Sequence, residues 1–300
     1  MIKIQGNAKI NLSLDILGKR EDGFHEVSMV MQTIGLHDTI VLRKRESGIA
    51  LTINVPWLRA DASNLAWRAA SLMLQETGCR GGVEIELTKR IPVAAGLAGG
   101  STDAAAVLRG VNQLYHLGVP RVKLLELGAQ LGSDIPFCLL GGTMLATGRG
   151  EVLRRFPTLP KTWIVLAKPK LSVSTAWAYQ HYDAEGADRH PDNAAIEACI
   201  RRRDVRGVAG RMENVLESVT VRAYEEIDWL KRRMLEGGAM ASMMSGSGPT
   251  VFCLVDSREK AQALRDALRE ETNAFVYMTT TTGPYRRPRQ KRLTRRRQKH

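Results

Sequence analysis

Long apolar runs are missing from this 300-residue chain. The longest, residues 135–146, is interrupted by Gly141 and Gly142 and falls short of the roughly 18 residues that a membrane-spanning helix needs. A secretory leader is not expected, because residues 1–16 alternate polar and apolar where a signal peptide needs a continuous apolar stretch. Cysteine is scarce: Cys79, Cys138, Cys199 and Cys253 stand far apart with no C-x-x-C pair, which excludes a disulfide scaffold and suits a reducing compartment. With no H-E-x-x-H and no Cys/His cluster, no zinc site is expected. Only 11 prolines, beside 44% hydrophobic and 25% charged residues, exclude collagen and disorder throughout. What remains is a cytoplasmic globular protein of one large or two modest domains, since single cores rarely grow past about 250–300 residues.

Acidic residues are absent from 284–300, which hold nine Lys and Arg. Subtracting those nine from the net +13 leaves +4 on the preceding residues, so the body is only mildly basic. A terminal block of like charge reads as a solvated, disordered tail in preference to a dedicated RNA or lipid contact. Function is therefore sought upstream.

Ile10, Leu12, Leu14 and Ile16 alternate with Lys9, Asn11, Ser13 and Asp15, a period of two that predicts a half-buried strand with Lys9 and Asn11 on one face. The Asp22-Gly23 pair predicts a turn into a second strand over 27–34, with further strands at 39–44, 49–55 and 83–88. A helix is predicted over 63–76, capped by Ser63 and ended near Gly78. Val107, Leu108, Val111, Leu114 and Tyr115 form one helical stripe within 101–115, and another helix is expected over 121–131. Past a break at 154–161, strands at 162–168, 250–255 and 274–282 alternate with helices at about 211–218, 220–235 and 257–270. The class is α+β in two domains.

The densest chemistry lies in the Pro92 to Ala104 segment, where three glycines and two hydroxyls sit between a strand and a helix. Glycines admit a close anion, and free amides at a helix start point toward it, so the segment reads as a phosphate cradle. Neither a Walker A G-x-x-x-x-G-K-[ST] nor a G-x-G-x-x-G after a first strand is present, and a plain glycine turn capped by Ser101 stays open on spacing alone. Asp134, in Gly132-Ser133-Asp134-Ile135-Pro136, is either a helix cap or a catalytic base. The cluster Asp22-Gly23-Phe24-His25 puts two rings past a turn in a chain with 5% aromatics, and Ser245 to Thr250 forms a late glycine turn before a strand.

Taken in order, A-K-I-N at 8–11, the P-x-x-x-G-L-x-G-G-S-T-D-A loop, G-S-D-I-P and S-G-S-G-P-T resemble the GHMP kinase superfamily over about residues 1–283. Within it, R-E-D-G-F-H (20–25), G-L-A-G-G-S-T-D-A-A-A (96–106) and K-P-K-L-S-V-S-T-A-W-A-Y (168–179) are similar to the branch acting on 4-diphosphocytidyl-2-C-methyl-D-erythritol. The resemblance implies a ribosomal protein S5 domain 2-like, ATP-binding N-terminal domain over 1–158 and a ferredoxin-like α/β sandwich over 159–283. The active site would lie in the cleft between them, and 284–300 would form the basic tail. It also implies roles. Lys9 and Asp134 would be the catalytic pair. Pro92, Val93, Ala94, Ala95, Gly96, Leu97, Ala98, Gly99, Gly100, Ser101 and Thr102 would wrap the ATP phosphates. Phe24, His25 and Tyr179 would hold the cytosine, His25 by hydrogen bonds and the others by stacking, with Asn11, Gly246, Ser247 and Gly248 on the substrate side.

ATP with Mg²⁺ would be the phosphoryl source, with no dedicated protein metal site. The chain would work as a monomer or homodimer, without nucleic acid or membrane. Its reaction would be direct transfer to the 2-hydroxyl, without a phosphoenzyme, in non-mevalonate isoprenoid precursor synthesis. Departures from the family pattern are mild: Asn7 stands where proline is frequent, Phe24 where tyrosine is common and Thr102 where serine is common. A homoserine- or mevalonate-type kinase would keep Lys9, Asp134 and the loop without needing Phe24, His25 or Tyr179. An RNA-binding protein would act through 284–300.

Overall fold

The alternation at the N-terminus becomes a long two-stranded ribbon in the computed structural model, which describes residues 1–285. Strand β1 (Ile2–Lys19) pairs antiparallel with β2 (His25–Arg45) from Ile2 opposite Leu42 to Lys19 opposite His25. The runs predicted at 27–34 and 39–44 are thus one strand, because the ladder continues across Gly35 and His37. Register shifts between Asn7 and Lys9 and between Asn11 and Ser13 mark bulges. Such bulges re-aim side chains: Ile10 and Leu12 enter one hydrophobic core, whereas Leu14 and Ile16 enter another.

The first half continues with β3 (Ile49–Ile53), α1 (Leu65–Thr77), β4 (Gly82–Thr88), α2 (Gly99–Leu114), α3 (Arg121–Leu131), α4 (Ile135–Leu140), β5 (Thr143–Thr147) and β6 (Val152–Arg155). The second half holds β7 (Trp163–Lys168), α5 (Thr175–Glu185), α6 (Asn193–Arg201), α7 (Val205–Ala209), β8 (Glu213–Asn214), α8 (Glu217–Ala223), α9 (Glu225–Glu236), β9 (Ala241–Met244), β10 (Val251–Val255), α10 (Arg258–Glu271) and β11 (Phe275–Thr280). The helix predicted at 211–218 is instead the short β8 followed by α8, since Ser13 and Leu14 of β1 recruit Glu213 and Asn214 into a parallel pairing. Asn64 caps α1 in place of Ser63, its Oδ1 accepting from the Ala66 N–H at 2.9 Å, and Gly78 ends the helix at φ 61°.

Two sheets result. The larger runs β3-β4-β2-β1-β8, with β5 on β2 and β6 on β5, and the smaller is antiparallel, β11-β7-β10-β9. A core between them joins Ile10, Leu12, Val30 and Ile34 of the ribbon to Ile164, Leu166, Phe252 and Leu254 of the smaller sheet. Burying such a shared apolar face is the main favourable term and holds the halves together. Among the described residues no helix is long and apolar enough to cross a membrane. The expected basic tail begins with two residues that are packed on the first half: Pro284 bridges Gly141, and the Tyr285 ring lies 3.8 Å from the Arg109 guanidinium. The rest, 286–300, lies outside the described residues.

Candidate active site

A cleft of about 370 Å³ opens where β1, the loop before α2, the start of α4 and the β9–β10 turn converge. Its floor is the polar face of β1. Lys9, 5% exposed, donates from Nζ to Asn11 Oδ1 at 2.7 Å, while Asn11 Nδ2 meets the Met29 sulfur at 3.1 Å. A buried ammonium is costly without a partner. The Asn11 carbonyl supplies one partner and fixes where the lysine points.

The loop over this floor alternates. Ala95 and Leu97 are buried in the core between the sheets, whereas Ala94, Gly96, Ala98 and Ser101 face the cleft. Ala94 and Ala98 hold left-handed φ of 50° and 56°, which costs L-residues roughly 1–2 kcal/mol each. Such strain gathers at ligand clamps. Helix α2 starts at Gly99 with no side-chain cap on its first amides, so Ser101 lies inside the first turn, where it lines the cleft, and does not cap the helix. Pro92 and Val93 lead into the loop. Thr102 ends it, buried, with Oγ1 donating to the Asn7 carbonyl at 2.7 Å.

Close approach also explains two glycines. A Cβ on Gly96 would meet the Ser245 carbonyl oxygen at 2.0 Å, and one on Gly246 would lie 3.4 Å from Lys9 Nζ. Ser245 Oγ donates to the Gly96 carbonyl at 3.0 Å, which ties the late turn to the loop. Asn214, 1% exposed, holds that turn by donating from Nδ2 to the carbonyls of Met244 (2.9 Å) and Gly246 (2.8 Å).

Asp134 occupies the N-cap position of α4, yet its side chain makes no capping hydrogen bond, and it lines the cleft. Its charge is felt by two neighbours. Burial first and Asp134 second push the Tyr179 phenol up to about 12, and the same two causes push the Cys138 thiol up, with Lys9 opposing. Lys9, Asp134 and Tyr179 therefore share one electrostatic neighbourhood. At the outer edge, His25 and Tyr179 lie with ring centroids 4.8 Å apart, tilted 40°. His25 Nε2 and Asp183 Oδ1 are 2.6 Å apart, and Lys19 Nζ meets the same carboxylate at 3.2 Å.

Family models match at both ends of this arrangement: the GHMP kinases N-terminal domain over residues 64–142 and the GHMP kinases C-terminal domain over 195–274. The chain is 45% identical, over 93% of its length and 99% of the relative's, to 4-diphosphocytidyl-2-C-methyl-D-erythritol kinase of Acetivibrio thermocellus. It is 50% identical, over 92% of both chains, to the enzyme of the same name from Synechococcus sp.. The chain belongs to this family of GHMP kinases. A crystal structure of 4-(cytidine 5'-diphospho)-2C-methyl-D-erythritol kinase superposes with a TM-score of 0.81 at 36% identity, covering 94% of this chain and all of that one. A homoserine kinase from Cytophaga hutchinsonii superposes at 0.73 with 22% identity and shares the fold. As a GHMP kinase the chain is an ATP-dependent small-molecule phosphotransferase.

In this kinase the cleft gathers most of the residues singled out from sequence: Lys9, Asn11, Asp134, Tyr179, the loop's alternate positions and the 246–248 turn. Phe24 sits outside it, 53% exposed at the hairpin tip with the Arg149 guanidinium 5.1 Å from its ring centre. Trp177 turns away to His181, centroid to centroid 4.2 Å. Sequence reasoning missed Arg149, Met29, Thr175 and Asp183. Arg149 rides on the β5–β6 hairpin, whose Gly148 and Gly150 were the available signal.

Proposed function

We propose that this kinase transfers the γ-phosphoryl group of ATP directly to the 2-hydroxyl of 4-diphosphocytidyl-2-C-methyl-D-erythritol, giving the 2-phosphate and ADP, in the cytoplasm. The observation that carries the catalytic reading is an uncapped Asp134 carboxylate facing the same cleft as Lys9 and the open amides of α2. Asp134 takes the hydroxyl proton. Lys9, oriented by Asn11, stabilises the developing alkoxide. The alkoxide oxygen forms the new P–O bond as the β–γ bridge bond breaks and ADP departs, so no group on the protein is phosphorylated.

The amides after Ala98, the helix dipole and the Ser101 hydroxyl fit a polyphosphate. Among the described residues no group of three His, Cys, Asp or Glu forms a metal cage. Mg²⁺ would arrive on the nucleotide, neutralising phosphate charge, with the Ser101 hydroxyl lining the same cleft. His25 and Tyr179 form the cytosine subsite, with Asp183 steadying His25.

The deciding experiment measures ADP release with 4-diphosphocytidyl-2-C-methyl-D-erythritol, methylerythritol phosphate, mevalonate and homoserine offered separately. Turnover is expected with the cytidylated alcohol alone. Asp134→Asn is expected to lower kcat by about 10²–10⁴-fold with little change in ATP affinity. Turnover of another alcohol overturns the substrate, and near-normal kcat in Asp134→Asn overturns the base.

A further inference from the structure

One buried ionic cluster takes no part in the chemistry above. Lys89, just past β4, has its ammonium 2.5 Å from Asp38 Oδ2 on β2 and 2.7 Å from Asp103 Oδ2 on α2. All three side chains are at most 4% exposed. Asp38 also accepts, on Oδ1, the backbone N–H groups of Arg90 (2.5 Å) and Ile91 (2.8 Å). Asn54 brackets Lys89 itself, accepting from its N–H at 2.7 Å and donating to its carbonyl at 3.2 Å. A Cβ on Gly99 would come within 3.2 Å of the lysine Nζ.

These contacts have a common location. Arg90 and Ile91 immediately precede the strained loop, Asp103 immediately follows it and Gly99 lies within it at the start of α2, so one ammonium stands under both of its ends. The cluster holds one more acid than base. Burial raises the Asp103 carboxyl well above the usual range, Lys89 opposes the shift and Asp38 adds to it, and Asp103 Oδ1 finds no partner among the described residues. Burying three ionisable groups is a poor route to stability, since well-packed apolar side chains of similar volume often do as well or better. What such a cluster supplies, and apolar packing does not, is a fixed distance between two points of the backbone.

We propose that Lys89 is the positioning residue of the phosphate loop, its ammonium holding the loop's two ends together through Asp38 and Asp103. The proposal rests on the assignment of that loop to the ATP phosphates. With the ends held, Ala94 and Ala98 are confined to left-handed backbone and the first amides of α2 stay aimed into the cleft. With the ends released, the loop relaxes and nucleotide binding weakens. The acceptor alcohol, held by Lys9, Asp134 and the His25–Tyr179 edge, is unaffected.

The test compares KM for each substrate, and the Kd of ATP with Mg²⁺ alone, in the wild type, Lys89→Gln and Asp103→Ala. Lys89→Gln is expected to raise KM and Kd for ATP about 10- to 100-fold, the scale of an ångström-level misplacement, while KM for the cytidylated alcohol stays within about twofold. Asp103→Ala leaves a one-to-one Lys89–Asp38 pair and so folds even if Lys89→Gln does not. It frees only the far end and is expected to raise the ATP values at least about threefold at an unchanged melting temperature. The double variant should resemble Lys89→Gln alone, because both act through one contact. ATP values within twofold of wild type in Asp103→Ala, or equal losses for both substrates, overturn the proposal. A wild-type chain that binds no ATP overturns the loop assignment beneath it.

Discussion

Tyr179 shows how one side chain meets two demands. Its hydroxyl is pushed up to about 12, by burial and then by Asp134, so the phenol stays neutral wherever the enzyme works. Its ring stays beside His25 at 4.8 Å. A base stacked on such a face gains roughly 1–3 kcal/mol. Tyr179→Ala should therefore raise KM for the cytidylated substrate about 5- to 150-fold, whereas Tyr179→Phe, which keeps the face, should stay within about twofold. Steady-state kinetics with saturating ATP decides this, and an unchanged KM in the alanine variant removes Tyr179 from the base subsite. Asp134 makes a related point about legibility. Its position before a proline-initiated helix matches a cap as well as a base, and the missing capping hydrogen bond, a three-dimensional fact, argues against the cap.

Elements built on strong local periodicity were readable. Helix α3 runs over 121–131 as its pattern required, α2 begins two residues early, and β7 and β10 fall within a residue of expectation. Elements fixed by distant partners were not. Strand β8 is two residues long and exists because β1 pairs with it across almost two hundred residues. The β5–β6 hairpin carries too short an alternation to stand out. Helix α6 likewise depends on contacts from elsewhere: Glu197 receives a two-pronged hydrogen bond from Arg154 of β6, at 2.9 and 2.7 Å, and two more from Arg201, at 3.2 and 2.6 Å. Arg154, ahead of Arg201, holds the Glu197 carboxyl down at about 2. A depressed carboxyl contributes stability above its unfolded value, near 4.3, and loses it as pH falls toward the folded value. Because Arg154 is 55% exposed, solvent screens the pair to about 1 kcal/mol or less. Urea midpoints should therefore converge between wild type and Glu197→Gln as pH falls from about 5 to 2. A constant gap across that range would show that the Glu197 charge contributes nothing.

At the scale of the whole molecule, the question is where the folded body ends. Sequence composition set the boundary at 284, because the basic run starts there and charge was the only signal. The structure carries the fold two residues further. The Tyr285 hydroxyl oxygen accepts the Asn7 N–H at 3.0 Å and donates to Asn7 Oδ1 at 3.2 Å, and the Tyr285 amide donates to the Leu140 carbonyl at 3.1 Å. Asn7 lies two residues before Lys9, Leu140 closes the helix that Asp134 opens, and Arg109 on α2 covers the Tyr285 ring, so one residue braces the backs of three site-bearing elements. A chain ending at Tyr285 should keep wild-type kcat and melting temperature while losing affinity for polyanions, since the described cleft lining and hydrophobic cores are built from residues before 286. A chain ending at Gly283 forfeits the half-buried Tyr285 ring, its cation–π contact and these hydrogen bonds, about 2–4 kcal/mol together, which for a protein of this size lowers the melting temperature by roughly 5–10 °C. Thermal denaturation and ADP release on the two truncations separate these outcomes. If the chain ending at Tyr285 lost activity, the basic run would belong to the catalytic body; equal melting temperatures for both would mean that Tyr285 braces nothing.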